Sequence, residues 1–186
     1  AAKLIPAKEV GGDLYDFFIQ DEKLYFIIGD VSGKGVPASL VMAVTCRLFR
    51  SVASHLDKPE AIMSSLNNSL SEGNETGMFC TAILGILDLR SGQLKYCNAG
   101  HNAPLLIDAD GNVTPISVVP NLPLGLFEQF PYEGQEMKLD KKTVLYMFTD
   151  GINEAENNEK KLFGDDRLIA LLKKNAFNTP TEIIKE

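Results

Sequence analysis

The chain has 186 residues, 45% of them hydrophobic and 23% charged, the balance of an ordinary globular domain. That length predicts one domain, at most two small ones, able to fold without a disulfide or a structural metal. Lys and Arg number 18 against 25 Asp and Glu, a net charge of −7. This argues against nucleic-acid binding and is compatible with a cation site or a basic partner.

Residues 14–19 and 23–29 are apolar runs rich in Tyr, Phe and Ile. They read as an antiparallel hairpin across Gln20, Asp21 and Glu22. Pro37 opens a predicted helix reaching about His55, with Leu40, Val41, Val44, Leu48 and Val52 on its expected core face. A second helix is predicted from Pro59 to about Leu70, where Ile62, Leu66 and Leu70 stand four apart. Residues 79–87 and 94–97 are predicted strands around Arg90-Ser91-Gly92, and 104–107 and 113–117 flank a turn at 108–112. Residues 119–134, rich in Pro and Gly, read as an irregular loop, and 143–149 as an apolar strand. Helix returns over 167–174, and Thr179 with Glu182 makes a capping box for a last helix. Strands joined by short turns, with helices segregated from them, predict an α+β fold with antiparallel sheets rather than a doubly wound one.

Cys46, Cys80 and Cys97 are scattered among apolar neighbours and read as reduced, buried and inert, as expected of a cytoplasmic protein. No run approaches the ~20 apolar residues of a membrane span, and no signal peptide is present. The chain starts without Met and stops as its last helix opens, so a piece of a longer protein is expected.

Two apolar stretches end alike. Residues 25–29 run into Asp30, and residues 145–149 run into Asp150-Gly151. A carboxylate at the end of a buried strand is costly to ionise without a partner. Asp13 follows Gly11-Gly12 and opens the first strand. If these strands are neighbours, three carboxylates converge and need a cation between them. Oxygen donors without a His or Cys cluster favour Mg²⁺ or Mn²⁺ over Zn²⁺. The bland alternative makes each Asp a turn or cap residue. Gly29, Gly33 and Gly35 flank Asp30 and allow close backbone approach, or simply a tight strand-to-helix turn. Ser32-Gly33-Lys34-Gly35 is not a P-loop: its glycine spacing is one residue short and Gly35 stands where Ser or Thr holds Mg²⁺. Gly11-Gly12-Asp13 is not the signature of cyclic-dinucleotide synthases, because Leu14 replaces an acidic residue. His101, between Gly100 and Asn102, reads first as a turn-shaping residue and second as a cleft residue. His55 reads as an exposed helix-end residue. Asp16, three residues beyond Asp13, falls on the opposite strand face and is not counted as a ligand.

Five motifs stand in order: Glu9-Val10-Gly11-Gly12-Asp13-Leu14-Tyr15-Asp16; Gly29-Asp30-Val31-Ser32-Gly33-Lys34-Gly35; Asn98-Ala99-Gly100-His101-Asn102-Ala103-Pro104; Leu122-Pro123-Leu124-Gly125; and Thr149-Asp150-Gly151-Ile152-Asn153-Glu154. Together they resemble the bacterial SpoIIE-type branch of the metal-dependent protein serine/threonine phosphatases, the protein phosphatase 2C-like superfamily. The resemblance covers nearly the whole chain and implies a single catalytic domain over 1–186. It implies a four-layer α/β/β/α sandwich with two central antiparallel sheets, and two Mn²⁺ or Mg²⁺ ions. By position, Asp30 looks like the carboxylate bridging both ions, the Val31 carbonyl like a further ligand, and Asp13 and Asp150 like the flanking ligands. The implied reaction is hydrolysis of phosphoserine or phosphothreonine by a metal-activated water, without a phosphoenzyme. Implied partners are a phosphoprotein such as an anti-sigma-factor antagonist and an N-terminal sensor or receiver domain. A homodimer is allowed, and neither nucleic-acid nor membrane contact is expected. In eukaryotic relatives a His soon after the bridging Asp is the general acid. Ser32 occupies that region here, leaving metal-bound water as the candidate donor. The family normally closes with a further metal-binding Asp and an edge strand, which lie past Glu186. The competing reading is a non-catalytic, partner-binding module with the same fold.

Overall fold

The computed structural model describes residues 1–6 and 10–185. Glu9, the first residue of the first motif, lies outside them. The elements run β1 (Leu14–Gln20), β2 (Lys23–Val31), α1 (Val36–Ala53), α2 (Pro59–Ser71), β3 (Cys80–Asp88), β4 (Gln93–Ala99), β5 (Leu105–Ile107), β6 (Val113–Pro115), β7 (Gln135–Lys138), β8 (Val144–Tyr146), α3 (Asp150–Asn153), α4 (Asp165–Lys174) and α5 (Pro180–Ile183). Their contacts divide the chain into two compact units, a larger one of Pro6–His101 and Val118–Leu139 and a smaller one of Ala1–Ile5, Asn102–Ser117 and Asp140–Glu186.

The larger unit is built on an antiparallel sheet of order β1-β2-β3-β4-β7. The predicted hairpin forms, and Asp21 and Glu22 turn it with φ of 49° and 58°, the left-handed pair that matches strand twist. Alternation sends Tyr25, Ile27 and Val31 of β2 to one face. There they join Ala82, Leu84 and Ile86 of β3 against Phe49, Ile62, Met63 and Leu66 of the two helices. The sequence reading did not anticipate β7. Its Gln-Glu-Met-Lys pattern is polar because it is an edge strand with two exposed side chains. The loop of 119–134 is irregular yet pinned. Leu124 exchanges backbone hydrogen bonds with Cys80 at 2.8 and 2.9 Å, and buried Asn67 binds the Gly125 N–H and the Phe127 carbonyl.

The buried face of α1 differs from the expected one. Leu40 and Val44 remain 62% and 51% exposed, while Ala38, Thr45, Phe49 and Ala53 are buried. Small residues let the helix approach the sheet, and Phe49 sits beside Phe18 with ring centroids 5.6 Å apart. Thr45 satisfies its hydroxyl on the Val41 carbonyl at 2.8 Å. The same helix corrects the membrane expectation, since by length and composition α1 is long and apolar enough to cross a membrane.

The smaller unit holds an antiparallel sheet of order β6-β5-β8. Leu105, Ile107, Val113 and Phe148 pack with Leu168 and Leu172 of α4. Strand β8 is shorter than the predicted 143–149, and its three residues are only half-buried. The capping box at Thr179 is present: its N–H donates to Glu182 Oε2 at 2.8 Å and its hydroxyl accepts from the Glu182 N–H at 3.4 Å. The two antiparallel sheets with separate helices meet the α+β expectation. Cys80 and Cys97 are buried and Cys46 half-buried, all three as free thiols.

Candidate functional site

The β1–β2 register pairs Leu14 with Gly29. The Val31 N–H donates to the Gly12 carbonyl at 3.3 Å, so the pairing continues one step past Leu14. Asp13 is thereby set across from Asp30. Directly opposed residues of an antiparallel pair project from one face with Cβ atoms ~4.5–5.5 Å apart. By parity that face is the one turned away from α1 and α2. Both aspartates are half-buried.

Two glycines make this approach feasible. A Cβ on Gly12 would stand 2.6 Å from the Val31 carbonyl oxygen and 3.0 Å from Asp30 Oδ1. A Cβ on Gly29 would stand 2.4 Å from the Thr81 carbonyl oxygen. The Asp30 carboxylate and the Val31 carbonyl therefore converge on a spot that only a residue without a side chain leaves open. Carboxylate and carbonyl oxygens with no nitrogen or sulfur donor fit a hard divalent cation such as Mg²⁺ or Mn²⁺.

The next strand braces the pair. Thr81 lies across from Asp30 in β3. Its Oγ1 is 3.1 Å from His101 Nδ1 and 3.4 Å from the Asp30 carbonyl oxygen. His101 is 8% exposed, and Asn98 clamps its backbone at both N–H and carbonyl, each at 2.8 Å. His101 is thus a turn-shaping residue tied through Thr81 to the Asp30 strand. Thr81 and Asn98 were assigned no role from sequence. Asn98 lies inside a quoted motif, but its role depends on a three-residue turn visible only in space. Ser32 is also engaged: its Oγ accepts the Phe79 N–H at 2.9 Å and its own N–H donates to the Phe79 carbonyl at 2.8 Å. Asp16 is an ion-pair partner on the opposite face, receiving Arg50 Nε at 2.7 Å and Nη2 at 2.5 Å. His55 is exposed, with Nδ1 bonded to Ser54 Oγ and the Ser51 carbonyl.

Asp150 belongs to the smaller unit. It is not the end of a buried strand, as the sequence suggested. Strand β8 ends at Tyr146, and Asp150 is the exposed first residue of α3. Exposure removes the ionisation penalty on which the sequence argument leaned. Among the described residues, no group of three or more His, Cys, Asp or Glu side chains is drawn close enough to hold a metal ion. What the larger unit itself supplies is the Asp13–Asp30 pair with the Val31 carbonyl.

The family model of stage II sporulation protein E (SpoIIE) matches residues 20–186. The chain belongs to the SpoIIE family. Within that family it is 26% identical over 181 residues to the phosphoserine phosphatase RsbU of Bacillus subtilis, a match covering 97% of this chain and 54% of RsbU. Among solved structures, the RsbU and RsbW domains of Rv1364c from Mycobacterium tuberculosis superpose with a TM-score of 0.82 at 25% identity, over 95% of this chain and 49% of that one. RsbX in complex with magnesium shares the fold, with a TM-score of 0.72 at 22% identity, over 96% of this chain and 79% of that one. The chain thus spans about half the length of RsbU and of the Rv1364c chain.

Proposed function

We propose that this chain is a divalent-metal-dependent protein phosphatase that removes phosphate from serine or threonine of a regulatory protein. The observation that carries the reading is the register placing Asp13 across from Asp30, with Gly12 leaving room for Asp30 Oδ1 and the Val31 oxygen. Membership of the SpoIIE family and the likeness to RsbU support it. The residues that would hold the metal are Asp13, Asp30, Asp150 and the Val31 carbonyl. Bound Mg²⁺ or Mn²⁺ would supply polarisation of the phosphoryl oxygens and acidification of the attacking water.

The chain's own contribution is to hold two carboxylates in a geometry unfavourable without a cation. The Thr81–His101–Asn98 network fixes the strand end that carries Asp30. Ser32 is committed to Phe79 and serves to shape the loop into α1 rather than to donate a proton to the leaving group. We further infer a four-layer α/β/β/α sandwich acting as one catalytic domain. The inferred substrate is a phosphorylated anti-sigma-factor antagonist, met in the cytoplasm. The test is phosphate release from such a phosphoprotein with Mn²⁺, with EDTA, and with Asp30→Asn. Activity that survives both EDTA and the substitution overturns the proposal and favours the partner-binding module.

A further inference from the structure

The smaller unit contains a cavity of about 240 Å³. Leu105, Pro115, Phe148 and Ile169 supply apolar lining, and its polar lining is Asn102, Asn153 and Asp165. No Lys, Arg or His lines it among the described residues. Asn153 is the last residue of α3, the helix that Asp150 begins, and Asp165 is the first residue of α4.

The polar groups are mismatched in one direction. Asn153 Nδ2 donates to Asp165 Oδ1 at 2.9 Å. A carboxylate can only accept, so this bond fixes which end of the amide faces Asp165. The other end, Asn153 Oδ1, is left buried with no hydrogen-bond partner among the described residues. Buried acceptors are normally satisfied, and one that is not calls for a donor from elsewhere. Asp165 adds a full negative charge, is exposed, and has Asp166 beside it. The cavity therefore offers a carboxylate and an unmet acceptor next to apolar walls.

We propose that this cavity is a recognition pocket for an arginine side chain of a partner protein. An apolar stem suits the walls, as long basic side chains bury their methylenes and keep the head polar. A planar guanidinium carries several N–H donors in a fixed fork and serves separated acceptors, whereas an ammonium acts as a point charge. The volume lies below the ~300–1,000 Å³ of sites for drug-sized ligands and suits a single side chain. The net charge of −7 favours approach of a basic partner. The pocket is distinct from the phosphatase reading and stands or falls without it.

The experiment is a titration followed by ¹H–¹⁵N NMR, using N-acetyl-arginine methylamide as probe. Its lysine and citrulline counterparts are run beside it. Expected are saturable shifts at the Asn153 side-chain amide and at the Asp165 and Ile169 backbone amides. Citrulline, which lacks the charge, should bind at least about tenfold more weakly. Asp165→Asn keeps an oxygen for Asn153 Nδ2 but removes the charge, and it should weaken the arginine probe at least about tenfold as well. Ala103→Phe fills the cavity from an apolar lining position. It should abolish the shifts while the rest of the spectrum stays native. Absence of a saturable shift at tens of millimolar probe would overturn the proposal. So would equal binding of citrulline, or binding unchanged in the two variants. Lysine binding as tightly as arginine would overturn the guanidinium assignment.

Discussion

Asp30→Asn keeps the shape of the side chain and removes one of two facing charges. The β1–β2 register sets the Asp13 and Asp30 carboxylates at a spacing of order ~5 Å. Two unit charges at that distance repel by about 3 kcal/mol at an effective dielectric of 20 and by about 1 kcal/mol in water. Both side chains are half-buried, so the lower end applies after solvent screening. The metal-free variant should therefore unfold at the same temperature as the wild type or up to ~2–4 °C higher, the shift expected of about 1 kcal/mol in a domain of this size. With Mn²⁺ the order should reverse. A ligand that binds only the folded state raises its stability by RT ln(1 + [L]/Kd). A tenfold loss of affinity removes about 1.4 kcal/mol of that gain. Thermal unfolding of both proteins in EDTA and across a Mn²⁺ series measures both effects. If Asp30→Asn melts several degrees lower in EDTA, Asp30 is a structural residue. If the two proteins gain equally from Mn²⁺, the carboxylate pair does not bind the metal. Either result refutes the reasoning.

Gly12→Ala puts a methyl 2.6 Å from the Val31 carbonyl oxygen. It should lower stability by ~1–3 kcal/mol and blunt the Mn²⁺ response together, as read from the same melts. Leu66 is fully buried, so Leu66→Ala should cost ~2–5 kcal/mol in a denaturant titration. Val44 is 51% exposed, and Val44→Ala should stay within about 0.5 kcal/mol of the wild type. Burial pushes the Cys80 and Cys97 thiols up to about 12. The folded state thus keeps protons that the unfolded chain releases near its ordinary thiol pKa of about 9. Stability from this source is complete below pH 9 and falls as pH rises toward 12, so urea midpoints should drop between pH 8 and pH 10. Half-buried Cys46 should be alkylated before the other two in native protein.

The hairpin and the α2 core face were legible because strict periodicity met full burial. The periodicity of α1 misled. Its most visible apolar stripe includes Leu40 and Val44, which face solvent, whereas its contact with the sheet uses Ala38, Thr45 and Ala53. Close packing selects small residues there, and those carry little hydrophobic signal. Strand β7 escaped notice because an edge strand with two exposed side chains reads as loop. In the candidate site, Asp13 and Asp30 were legible as carboxylates at strand ends. Their direct opposition is a property of register and needed coordinates. Asp150 was singled out on the premise of a buried strand that stops four residues short of it. The mismatch at Asn153 was invisible, because it depends on a bond to Asp165 twelve positions along the chain.

The tight turn at Asp21 and Glu22 lies far along the hairpin from Asp13, yet it governs what Asp13 can do. Side chains alternate along β1, so the number of residues between turn and aspartate is fixed as odd or even. Removing or inserting one residue within Leu14–Gln20 would rotate Asp13 to the helix-covered side and carry Leu14 out to the carboxylate side. Substitutions along the exposed edge of β1 leave that count untouched. The strand can therefore vary freely in composition while being nearly intolerant of changes in length, an asymmetry that would mark its evolutionary drift and limit where a loop could be grafted into it.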